Sequence, residues 1–244
     1  MLNIVGFGPG GYEGMTIEAE KALEKSELII GYTTYIELIR PYFPKKEYMQ
    51  TGMHGEADRC RLALAEAGSR MVALVCSGDS GVYGMAGLVY ELAGQMEEGR
   101  AVPEINVIAG VTAAVSGGAV LGAPLSNDFM TISLSDLLTP LTIIKKRICC
   151  AAESDTVLCL YNPSSRKRTG YLKMACELVL EYQSPDTVCG YVQNINRNGQ
   201  KTVITTLENL KEMQVDMFTT VFIGNSSTRN INGKMVTARG YRYV

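Results

Sequence analysis

The stretch Met71–Met85, MVALVCSGDSGVYGM, constrains the fold of this chain more than any other. Met71–Cys76 is a short apolar run with two valines and no proline, the pattern of a fully buried strand. The run stops at Ser77-Gly78-Asp79-Ser80-Gly81, five small or turn-prone residues, after which Met85, Leu88, Val89, Leu92 and Met96 recur at helical spacing. The order is strand, tight loop, helix, with the loop at the carboxyl end of the strand, where open parallel sheets hold their ligands. Ser77 and Gly78 carry little bulk, so a ligand can approach the main chain there. Asp79 is placed either to accept hydrogen bonds from a ligand's hydroxyl or ammonium groups or to cap the following helix.

The same pattern recurs on both sides of this stretch. Leu2–Val5 reads as a first strand, followed by Gly6-Phe7-Gly8-Pro9-Gly10-Gly11 and a helix from Ile17 to Ser26 capped by Thr16. Leu28–Ile30 is a second strand, Thr33–Arg40 a short helix, Tyr48–Thr51 a small edge strand and Glu56–Ala67 a helix. Ile105–Ile108 is a strand that runs into the small-residue loop Ala109–Ala114. Strands alternating with helices imply a parallel α/β sheet. Glycines at 6, 8 and 11 formally satisfy GxGxxG, but Pro9 removes an amide where a pyrophosphate needs a donor, and no acidic residue closes the second strand.

Gly117–Asp128, GGAVLGAPLSND, is rich in small residues and reads as a hinge, which divides the chain into domains at 1–120 and 121–244. Beyond it, Met130–Leu134 is a strand entering Ser135-Asp136, Leu141–Ala151 a helix and Thr156–Tyr161 a strand ending in Asn162-Pro163-Ser164-Ser165. Arg168–Tyr182 is an amphipathic helix, and strands at Thr187–Val192, Thr202–Thr205 and Thr219–Ile223 complete a mixed sheet.

With 244 residues the chain is long enough for one large or two modest cores. It has no apolar stretch of membrane-spanning length and no basic leader at its start, so the expectation is a cytosolic protein. Seven cysteines without CxxC spacing argue against a disulfide framework and against a zinc site; Cys76, Cys159 and Cys189 lie in apolar strands as buried thiols. The single histidine, His54, argues against histidine triads and multi-histidine metal sites, and reads as a solvated turn residue. Residues 1–138 hold 9 Lys+Arg against 17 Asp+Glu, whereas residues 139–244 hold 14 against 8. The basic half invites an anionic partner, unless the two surfaces simply face each other.

GFGPGG at the start, SGDSGVYGM in the first half and GVTAA after the next strand together resemble the tetrapyrrole methylases. TISLSDLLTP at 131–140, YNPSSRKR at 161–168 and TTVFIGNSST at 219–228 narrow the resemblance to the branch that methylates and contracts the corrin precursor of cobalamin. Leu141, where an aromatic is expected, and Ser80, where alanine or proline is common, depart from that pattern. The resemblance implies a two-domain α/β fold, an N-terminal domain with a mostly parallel sheet and a C-terminal domain with a mixed sheet. The active site then lies in the cleft between them. It implies S-adenosylmethionine as cofactor, contacted by Pro9, Ser77, Gly78, Asp79, Val82, Tyr83, Thr112, Ala113 and Tyr161. It also implies a tetrapyrrole as partner rather than nucleic acid or membrane, and a homodimer.

Methyl transfer from a sulfonium is an in-line displacement with a neutral leaving group, so alignment is its main demand. Ring contraction shifts protons and benefits from a positioned acid or base. Ser133, Ser135 and Asp136 stand at a strand end and are the candidates; Asp136 can equally cap the next helix. Arg166 and Arg168 are the candidates for the substrate's carboxylates, against the plainer reading of a solvated helix start. Two other readings remain open at this point: another methylase of the same fold with a different substrate, and a nucleotide-binding regulator without catalysis.

Overall fold

The structure is a computed structural model and describes residues 1–53, 55–96, 101–165 and 167–242. His54 and Arg166 therefore lie outside the described residues. The chain divides into two compact units, Met1–Ala113 and Ala114–Val244.

The first unit runs β1 (Leu2–Gly6), α1 (Ile17–Lys25), β2 (Leu28–Tyr32), α2 (Thr33–Ile39), β3 (Glu47–Thr51), α3 (Glu56–Glu66), β4 (Val72–Cys76), α4 (Ala86–Gly94) and β5 (Ile105–Ile108). Its sheet is parallel, in the order β3-β2-β4-β1-β5. The inner strands β1, β2 and β4 lack an exposed polar face because both faces are covered, as a parallel sheet requires. Leu2, Ile4, Leu28, Ile30, Val72, Leu74 and Cys76 pack with α3 and α4 on one face. Their alternates Val5, Ile29, Ala73 and Val75 pack with α1 and α2 on the other. Thr16 caps α1 as expected, its hydroxyl accepting from the Ala19 amide at 3.1 Å. Burial raises the thiol of Cys76, in β4, to about 12.

The second unit comprises α5 (Ala113–Leu121, its first residue on the boundary), β6 (Gly122–Ala123), β7 (Phe129–Ser133), α6 (Leu141–Glu153), β8 (Val157–Tyr161), α7 (Tyr171–Leu180), β9 (Val188–Gln193), β10 (Lys201–Thr206), α8 (Leu207–Leu210), β11 (Thr219–Ile223), β12 (Thr228–Ile231) and β13 (Lys234–Thr237). The main sheet has the order β10-β9-β11-β8-β7, parallel between β7 and β8 and antiparallel elsewhere. The mixed sheet expected from the sequence is therefore present. Helices α6, α7 and α8 bury Ile144, Ile148, Leu172, Val179 and Leu207 against Leu158, Leu160, Tyr191 and Val221.

Two expectations differ from the structure. The stretch read as a hinge at 117–128 holds the end of α5 and strand β6, and the division of the chain falls earlier, after Ala113. The small residues there serve close packing: a Cβ on Gly117 would sit 3.0 Å from Phe222 Cζ and 3.1 Å from Ile195 Cδ1. Helix α7 begins at Tyr171 rather than at 168, after Thr169 and Gly170, so Arg168 belongs to a loop.

Candidate functional site

The first group of candidate residues lies on three loops that leave the carboxyl ends of β1, β4 and β5, neighbours in the sheet. These loops are laced together through their backbones. Gly8 donates to Gly78 O at 3.0 Å and Gly78 donates to Gly8 O at 2.7 Å, a small antiparallel bridge between the GFGPGG and SGDSG segments. The contact is close enough to demand glycine. A Cβ on Gly6 would lie 2.7 Å from Gly78 O, and one on Gly110 would lie 2.1 Å from Gly78 O and 2.4 Å from Gly6 O. The glycines that superficially spell a dinucleotide motif thus hold neighbouring loops in contact.

Asp79 is the polar centre of this arrangement. One carboxylate oxygen accepts from the amides of Gly81 at 2.8 Å and Val82 at 3.1 Å, and the other from the Gly110 amide at 2.9 Å. It does not cap α4, whose first turn is preceded by Met85 and whose Ala86 amide donates to Ser80 O at 3.0 Å. Asp79 instead shapes its own loop and ties it to the loop after β5. Ser80 is fully buried, with its hydroxyl on Ile4 O at 3.3 Å. Tyr83 adopts a left-handed φ of 54° and is 52% exposed. Gly78 has a left-handed φ of 71°, and an added Cβ would make ordinary contact with Thr112 Cα at 3.6 Å and Ala113 N at 3.7 Å. Pro9, Ser77, Gly78, Asp79, Val82, Tyr83, Thr112 and Ala113 include no basic side chain. The group offers main chain, a carboxylate and small residues.

Arg59 escaped sequence reasoning. It is 3% exposed on α3, and its guanidinium donates to Thr51 Oγ1 at 2.8 Å and Gly52 O at 2.9 Å, touches Met85 Sδ at 3.4 Å and lies over the Tyr32 ring. It thereby fastens the end of β3 to the far end of the SGDSGVYGM segment. The available signal was an arginine four residues before Ala63 on the inward face of α3.

The second group lies in the second unit, on the loops leaving the carboxyl ends of the parallel strands β7 and β8. Leu134 donates to Tyr161 O at 2.9 Å, and Asn162 Nδ2 donates to Ser133 Oγ at 3.0 Å. Ser135 N donates to the same Ser133 hydroxyl at 3.3 Å. Asp136 accepts the Tyr171 hydroxyl on Oδ2 at 2.7 Å, and Arg168 Nη1 stands 3.7 Å from Oδ1. The structure therefore brings Ser133, Ser135, Asp136 and Arg168 into one cluster. Helix α6 is preceded by Pro140, so Asp136 does not cap it. Nor is Arg168 a solvated helix start, since its side chain is only 12% exposed. Its Nε is buried without a hydrogen-bond partner. Tyr171 was missed in the sequence; the hydrogen bond to Asp136 raises its hydroxyl above the ordinary tyrosine range. The Tyr161 hydroxyl accepts the Ala114 amide at 2.7 Å, in the first turn of α5.

The sequence profile of the Tetrapyrrole (Corrin/Porphyrin) Methylases matches residues 1–211, and the chain belongs to that family. A curated relative, the probable cobalt-factor III C(17)-methyltransferase of Salmonella typhimurium, is 44% identical over 99% of both chains. The solved structure of the methyltransferase CobJ is 33% identical, covers 97% of this chain and 99% of its own, and superposes with a TM-score of 0.90. The uroporphyrin-III C-methyltransferase of Thermus thermophilus, solved with S-adenyl homocysteine, shares the fold at a TM-score of 0.68 and 20% identity, over 91% of each chain.

Proposed function

We propose that this chain is an S-adenosylmethionine-dependent methyltransferase of cobalamin biosynthesis that methylates carbon 17 of cobalt-factor III and contracts the macrocycle. The observation that carries this reading is the 44% identity, over nearly the whole of both chains, to a cobalt-factor III C(17)-methyltransferase. The cobalt-bearing substrate is favoured by that relative's name over the metal-free precorrin-3B. A different precorrin, or binding without catalysis, is disfavoured by the same match and by loops that suit no pyrophosphate.

S-adenosylmethionine would supply a methyl group on a positively charged sulfur. Pro9, Ser77, Gly78, Val82, Tyr83, Thr112 and Ala113 form its binding surface in this reading, with main-chain groups taking the nucleoside. Asp79 acts by holding the loops in register and by its negative charge near a cation. Tyr161, at the end of β8, belongs to the second unit. Asp136 is the group assigned to proton handling during contraction, with Ser133 and Ser135 beside it, and Arg168 takes a substrate carboxylate. Arg166, proposed for the same task from the sequence, lies outside the described residues.

A homodimer in the cytoplasm is part of the proposal. No helix among the described residues is long and apolar enough to cross a membrane. Val115 and Phe129 are exposed at the rim of an apolar cavity of about 310 Å³ on the second unit, next to the edge strand β7. Such a face suits a second copy of the chain, and sedimentation tests it. Calorimetry with S-adenosylhomocysteine tests the cofactor assignment: micromolar binding by the wild type supports it, and absence of binding removes it.

A further inference from the structure

The loop between β7 and α6 is anchored at its base and bare at its tip. Its base is held by Leu134 to Tyr161, by Asn162 to Ser133 and by Asp136 to both Tyr171 and Arg168. Two residues at its tip, Leu137 and Leu138, are 66% and 98% exposed. A single exposed leucine is ordinary on a protein surface. An adjacent pair held out by a tyrosine, an aspartate and a largely buried arginine is a different matter, because that network orders a tip whose two leucines bury little apolar surface, while Leu134 at the base is fully buried.

The charge beside the leucines points to the occupant. Arg168 is loosely paired: Nη1 stands 3.7 Å from Asp136 Oδ1, a long separation for an ion pair, and the buried Nε has no hydrogen-bond partner. Asp136 keeps the Tyr171 hydroxyl at 2.7 Å if Arg168 turns away. Exposed leucines that directly follow Asp136, itself loosely paired with Arg168, match an apolar ring with carboxylates on its rim. We propose that Leu137 and Leu138 form the shelf on which one face of the tetrapyrrole macrocycle rests, and that they contribute to the specificity of this loop for a macrocyclic substrate. This deepens the function proposed above and rests on it.

The test uses the full-length protein and cobalt-factor III, whose own absorbance reports binding. Both leucines are exposed, so substitution leaves the fold intact. The double variant Leu137→Ser/Leu138→Ser should raise the Kd for cobalt-factor III about tenfold or more. Its S-adenosylhomocysteine affinity and Tm should match the wild type, and Leu138→Met should bind the macrocycle within roughly threefold of it. Wild-type affinity for cobalt-factor III in the serine double variant overturns the inference and leaves the proposed function standing. A shift in sedimentation of the double variant with unchanged macrocycle affinity also overturns it, by assigning the leucines to a subunit contact. Failure of the wild type itself to bind cobalt-factor III removes the proposed function, and this inference with it.

Discussion

Gly110→Ala is the sharpest perturbation the first unit offers. The new Cβ would lie 2.1 Å from Gly78 O, 2.4 Å from Gly6 O and 2.6 Å from Gly6 C. Every one of these atoms is backbone, anchored in a strand or in the Gly8–Gly78 bridge, so no side chain can swing aside. Forcing one methyl into such a contact costs about 1–3 kcal/mol, and the upper end applies where only backbone can move. Displacing the loop also stretches the 2.9 Å bond from the Gly110 amide to the Asp79 carboxylate, a charge-assisted interaction worth about 1.5–3 kcal/mol. Together the loss is roughly 3–5 kcal/mol, a fall in Tm of roughly 6–20 °C for a chain of this size. The Kd for S-adenosylhomocysteine should rise at least about tenfold, because the loops after β1, β4 and β5 move as one. Gly87→Ala is the control: nothing lies within 4 Å of its Cβ, and its place in α4 makes alanine favourable by about 0.5–1 kcal/mol. Differential scanning calorimetry and titration calorimetry on both variants read the difference. A Gly110→Ala protein with wild-type Tm and wild-type cofactor affinity would refute the reasoning.

Other outcomes follow from the same geometry. Asp136→Asn keeps the shape of the clamp but removes a base, so a methylated, uncontracted product should accumulate; parallel loss of both events would leave Asp136 as a loop anchor. Arg59→Met should destabilise the protein by about 1–3 kcal/mol, since Thr51 Oγ1 and Gly52 O lose their donor; an unchanged Tm would show that the tether contributes nothing. Burial raises the thiols of Cys60 to about 11 and of Cys76 and Cys176 to about 12 from an ordinary 9.0. Between those values the unfolded chain has lost the proton that the folded chain keeps. The contribution to stability is therefore full below about pH 9 and declines as pH rises through the folded values. Denaturant titrations should show a fall beginning near pH 9, and a flat profile to pH 11 would contradict the burial of these thiols.

Much of the fold was legible because a parallel strand buried on both faces leaves an uninterrupted apolar run, as Val72–Cys76 does. Small-residue loops at strand ends were equally visible, and Ser77–Val82 and Gly110 do form one bonded unit. Helix α5 was hidden because Gly117 answers to Phe222 and Ile195, more than seventy residues away, rather than to local propensity. Arg168 was legible as a cation but not as a partner of Asp136, since that pairing depends on the parallel alignment of β7 and β8. The roles of Asp79 were underdetermined for a similar reason: its bond to Gly110 spans thirty-one positions.

The most direct test of the central claim is the product of a single incubation. Purified protein, S-adenosylmethionine and cobalt-factor III are mixed without oxygen, and the corrinoid is analysed by mass spectrometry and NMR. The account predicts a product that gains one methyl group, located on carbon 17, with a contracted ring and stoichiometric S-adenosylhomocysteine. Unchanged cobalt-factor III, or a methyl group on any other carbon, would contradict it.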